Sequence, residues 1–230
     1  MPLNKILITG GLGFVGSAVA SRLVKIGKSV TIIDDLSTGR MENKVDGVSL
    51  IVGDCSNVKV LSALENSHFD AILHLAGQSS GEISFEDPAR DLRDNTLSTL
   101  NLVRLAESIN CRKFIYASSM SVYGEIEKEE LPVFESANTN PLSMYAVGKL
   151  ASENYLRIFS KQGMDCTCLR LFNIYGPGQN MNNLKQGMIS IYLAQALSSG
   201  NIIVKGAPER FRDFVYIDDV VDVLVQQLGS

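Results

Sequence analysis

Histidine is nearly missing from this 230-residue chain, which has only His68 and His74, and its four cysteines, Cys55, Cys111, Cys166 and Cys168, are scattered. No second Cys or His pair stands at metal-ligand spacing, so no metal site is expected. Cys166 and Cys168 fall in the alternating run MDCTCLRLF, where both face one side of a strand as small buried apolar groups. Proline is scarce, at six residues, and charged residues make up 20% against 45% apolar. That balance excludes a disordered chain and supplies the core of one good-sized domain. A dominant charge is lacking as well: the net is −4 with acids and bases mixed, which argues against a nucleic-acid binder, a class that usually shows a basic face.

Long hydrophobic runs are also absent, and nothing reaches the length that spans a bilayer. The uncharged stretch Ile6–Ser21, with Lys5 ahead of it, looks at first like a secretory signal. Gly10, Gly11, Gly13 and Gly16 break the apolar centre such a signal needs, so the chain reads as cytoplasmic.

Short apolar runs alternate with longer amphipathic stretches. Strands are predicted at Lys5–Thr9, Ser29–Ile33, Val48–Val52, Ala71–Leu75, Lys113–Ala117 and Cys166–Phe172. Helices are predicted at Phe14–Ile26, at Val58–Leu64, from Pro88 to Ile109 with Leu92, Leu97, Leu100, Val103 and Leu105 near one face, and from Pro141 to Gln162. This order predicts an α/β fold, a doubly wound parallel sheet of the Rossmann kind. After Tyr175 the texture changes: Gly176-Pro177-Gly178 breaks the chain and an Asn-rich loop runs to Asn183. A helix at Gln186–Ser198, strands at Ile202–Val204 and Phe214–Ile217, and a helix at Val220–Leu228 follow. The expected organisation is a sheet domain over 1–175, a small, incomplete C-terminal lobe over 176–211, and a strand and helix over 212–230 that return to the sheet domain.

Gly10, Gly13 and Gly16 stand three apart, after the first strand and at the start of the first helix. The first two permit a tight turn and close approach of a pyrophosphate, and the third lets the helix pack closely. Free N–H groups and the helix dipole would hold the phosphates. An acid ends the second strand. Asp34 there would accept both ribose hydroxyls and repel a 2′-phosphate, which favours NAD; its neighbour Asp35 is the second candidate. Arg40 is a cation that would pair a 2′-phosphate and keeps NADP open.

Tyr145 and Lys149 are four residues apart in a predicted helix, hence on one face. The ammonium would lower the phenol's pKa and make it a base. Ser118, Ser119 and Ser121 follow the fifth strand at the ligand-binding end of a parallel sheet. Ser119 would bridge the substrate oxygen to Tyr145, while Ser118 and Ser121 read as packing or turn hydroxyls.

With these pieces in order, the chain resembles the extended short-chain dehydrogenase/reductase family, and within it the nucleotide-sugar epimerase/dehydratase group. The resemblance rests on TGGLGFVGS at Thr9–Ser17, IIDDLSTG at Ile32–Gly39, HLAGQ at His74–Gln78, DNTLSTLNL at Asp94–Leu102, SSMSVYG at Ser118–Gly124, YAVGK at Tyr145–Lys149, LRLFNIYGPG at Leu169–Gly178 and RDFVYIDDV at Arg212–Val220. It implies Ser119, Tyr145 and Lys149 as catalytic residues. It implies NAD held by Gly10, Gly13, Phe14, Val15, Gly16, Asp34, Asp35, Leu36, Ser37, Thr38, Gly39, Asp54, Cys55, Leu75, Ala76, Gly77, Gln78, Asn95, Ser118 and Phe172, besides Tyr145 and Lys149. It implies a nucleotide sugar held by Asn173, Asn183, Leu184 and Arg212 as well as Ser119 and Tyr145. For Arg212 a salt bridge to Asp213, and for Asn183 a plain loop amide, are the alternative readings.

Within the group, dehydratases carry an Asp-Glu pair after the active hydroxyl and decarboxylases a Glu. Here Met120 and Ser121 stand there, with no acid to protonate a leaving hydroxyl. The resemblance therefore implies a NAD-dependent epimerase, inverting C4 of a UDP-hexose such as UDP-glucose or UDP-N-acetylglucosamine through a keto sugar. A NAD(P)-dependent reductase or dehydrogenase of a sugar or other carbonyl, and a non-catalytic NAD-binding module, are the alternatives. Relatives continue beyond the length of this chain, so its nucleotide-sugar pocket is expected to lack one wall. Helices 88–109 and 141–162 are the expected face of a homodimer.

Overall fold

A computed structural model describes residues 3–182, 187–204 and 211–229. Its centre is a six-stranded, wholly parallel sheet in the order β3-β2-β1-β4-β5-β6. The strands are β1 Lys5–Thr9, β2 Ser29–Asp34, β3 Ser49–Val52, β4 Ala71–His74, β5 Lys113–Ser119 and β6 Asp165–Leu171. The chain runs outward from β1 to β3, returns, and winds the other way from β4, so the order reverses between β1 and β4. Such a switch point leaves a crevice at the carboxyl ends of the strands.

Alternation along each strand divides the core. Ile6 and Ile8 of β1, and Ala71 and Leu73 of β4, face α1 (Phe14–Lys25) and α8 (Ile217–Gln227). Leu7 and Ile72 face the opposite layer, with Leu61 of α2 (Val58–Ser62), Leu102 and Val103 of α5 (Ser98–Ser108) and Leu156 of α6 (Met144–Lys161). Strands buried on both faces need apolar side chains throughout, which is why they read as continuous runs. Cys166 and Cys168 pack against this second layer, and burial first of all pushes both thiols up, to about 11 and about 12.

Several boundaries differ from the sequence reading. The long helix expected from Pro88 is broken: α4 (Pro88–Asp91) passes into a π-helical segment, Leu92–Leu97, before α5. The wider π turn rotates the apolar face, so Leu92 and Leu97 are exposed while Leu102, Val103 and Leu105 are buried. A short helix, α3 (Gly81–Glu86), precedes it, with the Ser80 hydroxyl accepting from the Ile83 N–H. Helix α6 begins at Met144 rather than at Pro141, because the Ser143 hydroxyl accepts from the Ala146 N–H and takes the cap.

Beyond β6, β7 (Asn173–Tyr175), which the sequence reading missed, pairs in parallel with β8 (Phe214–Tyr216). Ile202–Val204, expected as a strand, has no ladder partner among the described residues and is exposed. Helix α7 runs Met188–Ser199, and Gln186, its expected start, lies outside the described residues. These pieces form a small C-terminal lobe beside the doubly wound sheet. No described helix is long and apolar enough to cross a membrane.

Candidate active site

The carboxyl ends of β1, β2, β4, β5 and β6 open onto a cavity of about 620 Å³. Its first wall is the turn between β1 and α1. Gly10 has a φ of +68°, and a Cβ there would lie 2.8 Å from the Ala76 backbone at the end of β4. A Cβ on Gly16 would lie 2.1 Å from the Gly10 carbonyl oxygen. The third glycine thus keeps the turn folded on itself, rather than only bringing helix to sheet. Gly13 caps α1 with no side chain, and the first turn of α1 holds no acid. Gly13, Phe14, Val15 and Gly16 of that turn line the cavity, and the open N-terminus of α1 there is a setting suited to an anion.

At one end of the cavity stand Asp34, Asp35, Ser37, Thr38, Gly53, Asp54 and Cys55. Each Asp34 oxygen accepts one backbone N–H at 2.9 Å, from Leu12 and from Leu36. Carboxylate oxygens accept more than one donor, so the side chain is fixed and keeps acceptor capacity. Asp35 accepts the Ser37 N–H at 2.9 Å and its O–H at 2.6 Å. Leu36 and Gly39, assigned to the cofactor site, do not line the cavity. Leu36 packs on the core, and Gly39 backs the Asp34 carboxylate so closely that a Cβ would lie 2.4 Å from it. Arg40 also stays off the wall and pairs with Glu42 at 3.2 Å. Burial, and then the Asp54 charge, push the Cys55 thiol up to about 12, so it is inert.

Leu75, Ala76, Gly77 and Gln78 form the floor after β4. Gln78 donates to the Asp91 carboxylate at 3.0 Å and to the Ser80 carbonyl at 2.7 Å. Asn95 lies beneath this floor, off the cavity surface, and braces it by donating to the Gln78 carbonyl at 2.8 Å and to Asp91 at 3.0 Å. Its own Oδ1 is buried with no hydrogen-bond partner. The π segment that carries Asn95 also meets α6, where Thr96 donates to the Gly148 carbonyl at 3.3 Å and Ser152 to the Asn95 carbonyl at 2.9 Å.

Tyr145 and Lys149 of α6 and Ser118 and Ser119 of β5 converge on this floor and line the cavity. The Ser119 hydroxyl stands beside the Tyr145 phenol and shares a hydrogen bond with Ser121 Oγ at 3.1 Å. Lys149 Nζ donates to the Ala117 carbonyl at 3.0 Å and lies 5.7 Å from the Tyr145 ring centroid. The expected depression of the phenol is not met. Burial pushes Tyr145 upward, the bond from Ser119 opposes it, and the Asp91 charge adds to the rise. Lys149 itself is pushed down to about 8 by burial, with Asp91 opposing. Desolvation outweighs the helix-face attraction that the spacing alone suggested.

The Ser118 hydroxyl turns away from the cavity and donates to Glu153. Arg170 clamps Glu153 through Nε at 3.0 Å and Nη2 at 2.8 Å, and its guanidinium lies 4.7 Å from the Tyr123 ring centroid. The sequence reading missed this brace; its only trace there was an acid one turn beyond Lys149.

Phe172 and Asn173 also line the cavity. Asn173 spends its amide on the Asp213 carbonyl at 2.8 Å, joining β7 to the segment before β8. Arg212 does not reach the wall; its Nη1 donates to the Phe211 carbonyl at 2.9 Å. Asn183 and Leu184 lie outside the described residues. The remaining wall includes Met120, noted in the sequence only as standing where eliminating relatives carry an acid, and Ile83, Arg90, Tyr175, Gln179, Met188 and Phe214, to which the sequence reading had given no role. Tyr175 and Phe214 meet edge to face at 6.2 Å, a contact made by a strand pair that was only half anticipated. Among the described residues no group of three His, Cys, Asp or Glu side chains is placed to hold a metal ion.

Residues 6–230 match the model of the NAD dependent epimerase/dehydratase family. The UDP-glucose 4-epimerase of Mycolicibacterium smegmatis is 34% identical over 97% of this chain and 72% of its own length. The UDP-glucuronic acid decarboxylase 1 of Xenopus tropicalis is 33% identical over 99% of this chain and 54% of its own. The crystal structure of the Thermus thermophilus UDP-glucose 4-epimerase in complex with NAD superposes with a TM-score of 0.91, at 31% identity, over 98% of this chain and 75% of that one.

Proposed function

Because the chain belongs to the NAD-dependent epimerase/dehydratase family, we propose that it is a nucleotide-sugar 4-epimerase, acting on a UDP-hexose such as UDP-glucose or UDP-N-acetylglucosamine. The observation that carries this reading is the meeting of Ser119, Tyr145 and Lys149 on the cavity floor, with Met120 and Ser121 where an eliminating relative needs acids.

The cavity suits NAD. Gly10 and Gly16 allow a tight turn that side chains would force open against its own backbone, and this turn adjoins an uncapped helix start. Asp34 is fixed by backbone donors, with capacity left for ribose hydroxyls and a charge that repels a 2′-phosphate. Arg40, the cation that kept NADP open, is committed to Glu42. When bound, NAD would supply the hydride acceptor and donor for oxidation and re-reduction at C4 of the sugar.

This chain's own residues do the rest. Tyr145 receives the proton of the C4 hydroxyl, directly or across Ser119, and gives it back when the ketone is reduced. Proton transfer by a positioned side chain contributes about 100- to 10,000-fold. Because burial raises the phenol, the base depends on cationic charge close by, and Lys149 supplies it from the cavity floor while holding the cofactor ribose. Phe172 bounds the nicotinamide end, and Asn173 and Ser119 orient the sugar. The floor braced by Asn95 and Asp91 keeps water out and the groups in register.

The apolar side chains left exposed on the π segment and α6, Leu97, Val147, Tyr155 and Ile158, support a homodimer through that face. Incubating the chain and NAD with a panel of UDP-sugars, followed by NMR, tests the reading. Interconversion of a C4 pair is expected. One-for-one consumption of cofactor would assign it to the reductases instead.

A further inference from the structure

Lys149 is 5% exposed, and an ammonium so deep needs company for its three donors. One donor goes to the Ala117 carbonyl. On another side Nζ lies 4.8 Å from the centroid of the Tyr116 ring. Tyr116 belongs to β5, is completely buried and forms no part of the cavity wall. Its ring leans on His74 at 5.4 Å, and His74 is held by Thr9 at 2.7 Å and Thr99 at 3.0 Å. The ring is thus fixed from behind. Its hydroxyl has no hydrogen-bond partner, and the Ser152 and Thr99 hydroxyls beside it both donate to the Asn95 carbonyl. The ring face is therefore the part of Tyr116 that meets the ammonium.

We propose that Tyr116 is a positioning residue for Lys149: the face of its ring is the seat on which the ammonium rests, holding that charge beside Tyr145. The proposal rests on the functional reading above. An aliphatic core residue of similar size would bury the ammonium equally and attract it not at all. The negative face of an aromatic ring attracts a desolvated cation. The other titratable groups facing Lys149 are Tyr145 on its own helix, Asp91 of α4 and His74 of β4. Burial holds His74 down at about 3, so it brings no competing charge at neutral pH.

The test replaces Tyr116 in the full chain, with NAD bound, by phenylalanine and by mono-, di- and trifluorinated phenylalanines. These keep the size of the ring while draining its face, so the core stays packed. The rate constant kcat/KM is measured against pH, and the melting temperature is recorded for each variant. Activity needs Lys149 charged, so it falls as pH rises through the lysine's pKa, and a weaker seat moves that fall to lower pH. Phenylalanine is expected to behave as tyrosine does. Successive fluorines are expected to shift the alkaline limb downward, by about one pH unit for the trifluorinated ring. An alkaline limb that stays put across the series overturns the proposal. Lys149→Ala in the otherwise unchanged chain separates the two readings. If it leaves turnover intact, the functional reading fails; if it abolishes turnover while the fluorine series is flat, only the role of Tyr116 fails.

Discussion

Tyr145 is 8% exposed, and its burial works against the ionisation that a base requires; the Ser119 hydroxyl is the nearest relief. Removing the phenolic oxygen removes the proposed proton acceptor while leaving the ring packed. Tyr145→Phe is therefore expected to lower kcat by about 100- to 10,000-fold with little change in melting temperature. Steady-state kinetics beside a thermal melt checks this.

His74 lies one strand away and makes a different prediction. It is completely buried, and burial, then the Lys149 charge, hold its imidazole down at about 3 against an ordinary 6.5. The unfolded chain takes up a proton near 6.5, whereas the folded one resists until about 3. The stability that neutral His74 supports is complete above that window and is lost as pH falls through it, on the order of 5 kcal/mol in all. Urea midpoints measured between these limits are expected to fall. In His74→Gln, which keeps an amide donor and acceptor for the threonines, the fall is expected to be shallower.

Among the elements, the turn into α1 and the end of β5 carry the site. Gly16→Val would drive its Cβ into the Gly10 carbonyl, 2.1 Å away, so the turn must open. The expected cost is about 2 kcal/mol of stability, with NAD binding weakened about tenfold or more, as read by titration calorimetry. The end of β5 is held by Glu153, clamped between Ser118 and Arg170. Glu153→Ala leaves a half-buried guanidinium without its carboxylate and is expected to cost about 3 kcal/mol in urea unfolding.

These two places also mark where sequence reading succeeds and where it stops. The glycine triplet, Asp34 and the Tyr145–Lys149 spacing were legible because local backbone geometry dictates residue type there. The inner strands were legible because strands covered on both faces must be largely apolar, and the edge strands β3 and β6 from a short apolar run and from the alternation around Cys166 and Cys168. The Glu153–Arg170 brace, the Asp91 carboxylate under Gln78 and the Tyr116 seat were not. Each joins residues distant in the chain, and no local pattern records such a pairing. The phenol's pKa was misread for the same reason: spacing reports a neighbour's charge but not the depth of burial. The π segment escaped because its residues suit an α-helix equally well, and only packing against α6 reveals the wider turn.

At the scale of the molecule, a sheet whose order reverses between β1 and β4 brings the glycine turn before α1 and the trio Ser119, Tyr145 and Lys149 to one crevice. The small C-terminal lobe, tied on through β7 and β8, closes one side with Tyr175, Gln179, Met188 and Phe214. Such an arrangement suits a reaction in which cofactor and sugar stay enclosed together while the proton and hydride leave and return. The most direct measurement starts the chain, supplied with NAD, from UDP-glucose in one tube and from its C4 epimer in another, and follows both by NMR and by reduced-nicotinamide absorbance. The account predicts that both tubes reach the same mixture with no accumulation of reduced cofactor. No interconversion of this or any other C4 pair of UDP-sugars, or a sugar product formed in step with consumed cofactor, would contradict it.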